Sequence, residues 1–209
     1  MLKLNQPLAP CAAARSIRKR VFDVCVATLA LILAAPIMLL VYLLLLFDGG
    51  GPAIIAQPRT GLAGRDIHIF KFRTQNPACA EIPGEDSNPL RETNRLGRFL
   101  RHTGIDQLPQ LINVLAGDMS IVGPHPHPPN HEQYFAATIE GYTERFRAVP
   151  GMTGLAQIMA LRGVIPPSGA VQQRVAYDIR YINDWSPLLD LEILAEALFS
   201  AVVMPARAH

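Results

Sequence analysis

Residues Val24–Phe47 are apolar except for one threonine, and Pro36 stands at the middle of the run. At about 1.5 Å per helical residue, such a stretch can cross a hydrocarbon core of about 30 Å. It is too long and too far from the start for a secretory h-region, and no small-residue cleavage site follows it. Pro36 restricts the geometry, because a proline inside a helix removes a backbone hydrogen bond and crowds the preceding turn. In lipid the freed carbonyl has no water to turn to. Two arrangements remain: a kinked span, or a hairpin that enters by Val21–Ala35 and leaves by Ile37–Phe47. Arg15, Arg18, Lys19 and Arg20 precede the run; Arg59, Arg65, Lys71 and Arg73 follow it. Lys and Arg next to membrane segments favour the cytoplasmic side, so two basic flanks favour the hairpin.

The chain has 209 residues, of which 50% are hydrophobic, with a formal charge of +2. Setting the membrane run aside leaves about 160 residues, enough for one domain with its own core. The expected organisation is a flexible N-terminus over 1–15, a re-entrant membrane helix over 16–48 and a cytosolic domain over 49–209. The small net charge hides a cluster, Arg91, Arg95, Arg98 and Arg101. A local basic stripe suits phosphates or anionic headgroups better than duplex nucleic acid, and a solvated helix face is its plainest alternative. Cys11, Cys25 and Cys79 are odd in number and lack ligand-like spacing, which argues for a reducing compartment and against a zinc site or disulfide framework.

The periodicity predicts a mainly α chain with a small β element. Ala53–Gln57 and Ile67–Phe72 read as strands around the turn Gly61–Arg65, and Asn76–Asn88 as a loop. Leu96–His102 reads as a short helix with Leu96, Phe99 and Leu100 inward. Leu108, Leu111, Ile112 and Leu115 follow helical spacing; Pro109 belongs in a first turn, so that helix starts near Asp106 and ends at Gly117. A loop over Val122–Pro129 precedes a helix over Glu132–Arg147. Val171–Trp185 predicts another helix, with Val175, Ile179 and Ile182 on one face. Ser186–Pro187 carries the start signal of a last one, whose Leu191, Leu194, Leu198 and Val202 face either the core or the membrane surface.

Asp106 is the first candidate for chemistry. At a helix start, unpaired N–H groups and the dipole favour an ionised carboxylate or a bound phosphate. An ionised Asp facing a phosphate held by arginines is a competent nucleophile at phosphorus. On its own, Asp106 reads first as a simple N-cap, the more frequent role of such a residue. Asp178 reads first as a surface partner of Arg174, Lys71 as a strand-face lysine, and Arg162 as a phosphate contact or a turn cap. His125 and His127 stand two apart, but two ligands without a third do not make a metal site.

A longer pattern bears on these choices, with Arg162 staying open between phosphate contact and turn cap. Thr103–Gly104–Ile105–Asp106–Gln107–Leu108–Pro109–Gln110–Leu111, Gly117–Asp118–Met119–Ser120, Val122–Gly123–Pro124 and Pro150–Gly151–Met152–Thr153–Gly154 resemble the bacterial sugar transferase family, the monotopic polyprenyl-phosphate phosphoglycosyl transferases. Lys19–Arg20, Phe22–Asp23, Pro36, Gln57 with Arg59 and Gly61, Lys71–Phe72–Arg73, Gly97–Arg98–Phe99–Leu100–Arg101, Ala156–Gln157, Asp178 with Tyr181, and Trp185–Ser186 match in order, so the resemblance covers roughly residues 16–200. It implies a re-entrant membrane helix hairpin bent at Pro36, a compact cytosolic α/β catalytic domain with amphipathic interfacial helices, and residence at the cytoplasmic face of the bacterial inner membrane. It implies that Asp106 attacks the sugar-linked phosphate of a nucleotide diphosphosugar, a UDP-hexose. A nucleoside monophosphate leaves, and the sugar phosphate passes from the aspartyl intermediate to polyprenyl phosphate, an opening step of exopolysaccharide assembly. Magnesium is the implied cofactor, held by Asp106 and Gln107. Lys71, Arg73, Arg98, Arg101, His125, Arg162 and Asp178 are the implied substrate and phosphate contacts. The partners are the nucleotide sugar, polyprenyl phosphate and the bilayer, with no nucleic acid; a homodimer is compatible.

Three positions depart from the family pattern. Gln107 replaces the usual Glu beside the nucleophile, which predicts weak magnesium binding. His125 replaces the Arg of Gly–Pro–Arg–Pro, giving a side chain partly charged near neutrality and without the guanidinium fork. Met159–Ala160 replace Asn–Gly. These departures carry the alternative reading, an inactive homologue serving as a membrane scaffold in a polysaccharide assembly complex.

Overall fold

The computed structural model describes residues 8–49, 51–74, 95–165 and 171–203. Within them the protein is mostly helical with two small two-stranded sheets. Helix α1 (Ala12–Arg15) leads into α2 (Ile17–Phe47), which is long and apolar enough to cross a membrane. Strands β1 (Ile54–Thr60) and β2 (Asp66–Phe72) form an antiparallel ribbon, followed after the undescribed 75–94 by α3 (Arg95–Thr103) and α4 (Gln110–Ala116). Then come β3 (Ser120–Val122), α5 (Pro129–Thr138), β4 (Gly151–Thr153), α6 (Leu155–Leu161), α7 (Val171–Asp184) and α8 (Pro187–Val203).

Helix α2 runs unbroken through Pro36. The expected break between two helices is not seen, and Pro36, which removes one helical hydrogen bond, is the place for a bend within the continuous helix. Its buried residues Lys19, Asp23, Ala27, Val41 and Leu45 recur at multiples of the helical repeat and mark one stripe. Ser16 caps the start, its Oγ accepting from the Lys19 N–H at 3.3 Å. Near that end the Lys19 ammonium donates to Asp190 Oδ2 at 2.9 Å and lies 3.8 Å from Asp23. Asp190 also accepts from Trp185 Nε1 at 2.9 Å and the Tyr181 hydroxyl at 2.8 Å. Asp23 Oδ1 accepts from Ser120 Oγ and the Ile121 N–H, both at 3.0 Å. Arg20 donates to the carbonyls of Val114 and Leu115 at 2.6 and 2.7 Å, capping α4 where Gly117 (φ +95°) turns the chain. At the far end, Val41 and Leu45 pack with Ala53, Phe72 and Leu100. Both ends of α2 therefore seat on the same folded body. The rest of the helix is bare: Ile32, Leu33, Leu39 and Leu40 are each 58–69% exposed. So long an apolar surface exceeds what a water-facing monomer leaves open.

The ribbon forms where the alternation predicts it, and β1 runs on through Pro58 to Thr60. Asn113 ties α4 to it, donating to the His68 carbonyl at 2.7 Å and accepting from the Phe70 N–H at 2.9 Å. Several sequence expectations are corrected. Residues 8–15 are not frayed: Cys11 and Ala13 are buried, and the Cys11 N–H donates to the Arg147 carbonyl at 2.8 Å. Phe99 points outward at 57% exposure, while Leu100 is buried. The helix expected over Glu132–Arg147 stops at Thr138; Gly141 (φ +73°) reverses the chain into a 3-10 turn over Tyr142–Arg147. In α8 Asp190 and Ile193 are buried and Leu194 packs against the core, while Leu191 and Leu198 are exposed, so the expected face is split between core and surface. Ser186 Oγ accepts from the Leu189 N–H at 3.2 Å, as its start signal predicts. The loop expected over Asn76–Asn88, with Cys79 and Arg91, lies outside the described residues.

The parallel pair β3–β4 was not legible beforehand. It exists because two glycines let backbones touch: a Cβ on Gly151 would sit 2.1 Å from the Gly123 nitrogen. This contact sets the Gly123–His127 loop against the Pro150–Gly154 segment.

Candidate active site

Helix α3 ends at Thr103, whose Oγ1 bonds back to the Phe99 carbonyl at 2.8 Å, and Gly104 takes the left-handed conformation (φ +71°). The chain doubles back there into a 3-10 turn, Ile105–Gln107, which places Asp106 beside the last turn of α3. The helix expected to start near Asp106 starts four residues later. Pro109 is its N-cap position, so Asp106 is not the N-cap of α4.

Asp106 and Gln107 line a cavity of about 290 Å³ with Ile55, Gln57, Lys71, Phe72, Thr74 and Arg101. Arg101 is anchored by its Nε donating to Thr74 Oγ1 at 2.7 Å. Asp106 is 7% exposed. Burial weakens the Lys71 ammonium, and the Asp106 charge counters that loss. Phe72 belongs both to this cavity and to the cluster that seats the end of α2. The site is thus built at the foot of the apolar helix.

The structure brings together four residues of the sequence-based set: Asp106, Gln107, Lys71 and Arg101. The others lie elsewhere. Arg73 is buried and donates to the Leu45 carbonyl at 2.9 Å, 3.7 Å from Asp48, so it caps the end of α2. Arg98 is on the exposed face of α3. Arg162 pairs with Glu196 in an open groove of about 940 Å³ between α6 and α8, larger than the Asp106 cavity but without Asp106 or Lys71. Asp178 is 3% exposed and paired not with Arg174 but with Arg145, whose Nε donates to its Oδ2 at 2.8 Å.

Arg145, Gln157 and Arg59 were missed as site residues. Arg145 is a buried hub. Beyond Asp178 it donates to the Tyr142 hydroxyl at 2.8 Å, the His125 carbonyl at 2.6 Å and His127 Nδ1 at 3.1 Å. It therefore fixes the Gly123–His127 loop. Both neighbours of His127 Nδ1 donate to it, the Tyr142 hydroxyl from 2.7 Å. The ring is neutral, with burial and the Arg145 charge pushing it down to about 2. A cation facing Nδ1 excludes a metal there, and among the described residues no three His, Cys, Asp or Glu side chains are grouped to hold one.

His125 corrects a second expectation. Its Nδ1 lies 3.3 Å from Gln157 Nε2, and its ring meets the Gly151 backbone. Burial, then the charges of Lys71, Arg145 and Arg59, push it down to about 3. It is therefore neutral near pH 7, not partly charged. Nothing in local periodicity marks Arg145 or Gln157, because their partners are 20 to 33 residues away in sequence. Arg59 had a signal: it follows Gln57 by two on a strand.

The protein-family model for bacterial sugar transferases matches residues 14–204. A UDP-glucose:undecaprenyl-phosphate glucose-1-phosphate transferase of Caulobacter vibrioides is 45% identical over 181 residues, 85% of this chain and 67% of that protein. A protein of the same name in Escherichia coli is 37% identical over 93% of this chain, which spans 42% of it. The exopolysaccharide production protein PSS of Rhizobium leguminosarum is 35% identical, covering 84% of this chain and 90% of its own length. The match extends from the start of α2 through the Asp106 turn to α8, and the chain belongs to the bacterial sugar transferase family.

Proposed function

We propose that this protein transfers a hexose 1-phosphate from a UDP-sugar to a polyprenyl phosphate at the cytoplasmic face of the bacterial inner membrane, through a covalent intermediate on Asp106. The observation that carries this reading is one cavity holding Asp106, Lys71 and Arg101 at the end of the apolar helix. Names of relatives from three genera support the donor, the acceptor and the exopolysaccharide setting.

A carboxylate oxygen of Asp106 attacks the sugar-linked phosphorus. The phosphorus–oxygen bond to the nucleoside monophosphate breaks and the electron pair leaves with it. Lys71 and Arg101 offset the charge that builds on the phosphoryl oxygens. An oxygen of the polyprenyl phosphate then attacks the same phosphorus and returns the Asp106 carboxylate. Dividing one displacement into two serves a further purpose here: a soluble donor and a lipid acceptor use the same nucleophile in turn.

Magnesium fits the donor set in a weak form. Asp106 and Gln107 face the same cavity and offer one carboxylate and one amide oxygen. Magnesium commonly binds one or two carboxylates together with waters and substrate phosphates. When bound, it offsets diphosphate charge.

We also read α2 as re-entrant, with a bend at Pro36 inside continuous helix returning it to the leaflet it entered. Two findings support this. Both ends of the helix pack on one body, and its remaining surface is bare and apolar. A span would carry its two ends to opposite sides of the bilayer.

The test is Asp106→Asn in lipid nanodiscs with UDP-glucose and polyprenyl phosphate. An amide is a far poorer nucleophile and nearly isosteric, so turnover should vanish while the thermal midpoint stays close to wild type. Turnover near wild type in that variant would end the nucleophile assignment.

A further inference from the structure

Arg59 is a cation outside the set of residues that line the Asp106 cavity. Successive strand residues alternate faces, so Ile55, Gln57 and Arg59 share one face of β1. The register pairs Ile55 with Lys71 and Gln57 with Ile69. Gln57 and Lys71 line the cavity, and Arg59 is the next position on that face, about 7 Å beyond Gln57 along the strand. The guanidinium is held in place from its own strand. Nη2 donates to Gln57 Oε1 at 3.0 Å and Nη1 to the Pro58 carbonyl at 2.7 Å. Its Nε is buried with no hydrogen-bond partner, and Arg59 makes no ion pair within 4 Å among the described residues. The acid acting on it, Glu132, is 1% exposed.

A guanidinium stripped of part of its water, with its nearest acid beyond ion-pair distance, is an anion site in waiting. Its charge also acts on Lys71 and on His125. His125 brings no charge of its own to that region. The ring is engaged by Gln157 and the Gly151 backbone, and the nearby Arg145 guanidinium is committed to Asp178, whereas Arg59 is in no ion pair within 4 Å among the described residues. Gln57 accepts from Arg59 through Oε1, and the same side chain lines the cavity.

We propose that Arg59 and Gln57 form a second phosphate subsite, which holds the departing nucleoside monophosphate of the sugar donor while Lys71 and Arg101 hold the phosphoryl group that Asp106 attacks. The inference rests on the aspartyl-transfer reading. The two phosphates of the donor lie side by side, and Arg59 and Lys71, about 13 Å apart along one face of the ribbon, reach toward them from opposite ends with long side chains. A guanidinium contacts two phosphoryl oxygens at once, so the subsite favours a phosphate end over an uncharged nucleoside.

The test is calorimetric binding of UDP, UMP and uridine to the full chain in nanodiscs, with steady-state kinetics in parallel. Wild type is compared with Arg59→Gln, Arg59→Lys and the double variant Arg59→Gln/His125→Arg. Arg59→Gln should weaken UMP and UDP at least tenfold and leave uridine unchanged. It should raise KM for UDP-glucose by a similar factor while KM for polyprenyl phosphate stays within twofold. Arg59→Lys keeps the charge without the fork and should lose at least threefold for UMP, which decides the matter if the Gln variant unfolds. His125→Arg restores a guanidinium to the region and should recover part of the loss. Unchanged UMP affinity in the single variants overturns the subsite, as does a loss confined to polyprenyl phosphate. Wild type that turns over normally beside such variants leaves the Asp106 reading intact. Wild type that neither binds UDP nor turns over removes both.

Discussion

Asp178→Asn separates two roles for that residue. As a carboxylate of the reaction, it would be needed for turnover and largely dispensable for folding. As placed, it neutralises Arg145 at 2.8 Å in a region where the two side chains are 5% and 3% exposed. Removing one partner of a buried pair leaves an uncompensated charge and costs about 3–5 kcal/mol. For a chain of this size each kcal/mol moves the midpoint by roughly 2–4 °C, so the melt should fall by roughly 6–20 °C. The amide still accepts one bond from Arg145 Nε, which puts the asparagine toward the lower end. The assay is a thermal melt in nanodiscs followed by activity well below the new midpoint. A clear loss of stability with measurable turnover in the cold is expected. Replacing both partners by apolar residues, Arg145→Met with Asp178→Leu, should recover much of the stability but not the hold on the His125 carbonyl. A variant as stable as wild type and devoid of turnover would refute the positioning role and return Asp178 to the chemistry.

Three further outcomes follow from the same geometry. His127 is held neutral, with its folded pKa near 2 against about 6.5 when unfolded, so the unfolded chain binds more protons below 6.5. Stability should therefore fall as pH drops from 7 to 5, by at most about 1.4 kcal/mol per pH unit, and His127→Phe should flatten that slope in acid melts. Gln107→Glu adds a charged oxygen beside Asp106, and a magnesium titration of turnover should shift to lower concentration; an unchanged midpoint removes Gln107 from the metal site. Cysteine labels at Arg15 and Arg59, in oriented vesicles of the otherwise cysteine-free protein, should react from the same side; opposite-side labelling removes the re-entrant reading.

The fold was legible in the sequence where local periodicity coincided with local burial. The apolar run, the β1–β2 ribbon, α4 and its Gly117 end, and the Ser186–Pro187 start were all readable for that reason. What escaped depended on distant backbone or charge. The β3–β4 pair comes from Gly123 meeting Gly151, a contact between segments that carry no strand signal. The Arg145 hub joins residues up to 33 positions apart. Arg73 and Asp178 match the family pattern as residues, yet in three dimensions Arg73 caps α2 and Asp178 neutralises Arg145. A shared motif identifies what is retained in a family, but burial and partners separate residues that face the cavity from those that hold its walls. His125 shows the converse. Its residue type suggested a titrating side chain, and its packing makes it neutral.

The most direct measurement is the intact mass of the protein after brief exposure to UDP-glucose and magnesium without polyprenyl phosphate. The aspartyl mechanism predicts an added hexose phosphate that maps to the peptide containing Asp106, is absent in Asp106→Asn, and disappears when polyprenyl phosphate is added. Normal turnover from wild type with no adduct under any quench, or an adduct that persists in Asp106→Asn, would contradict it.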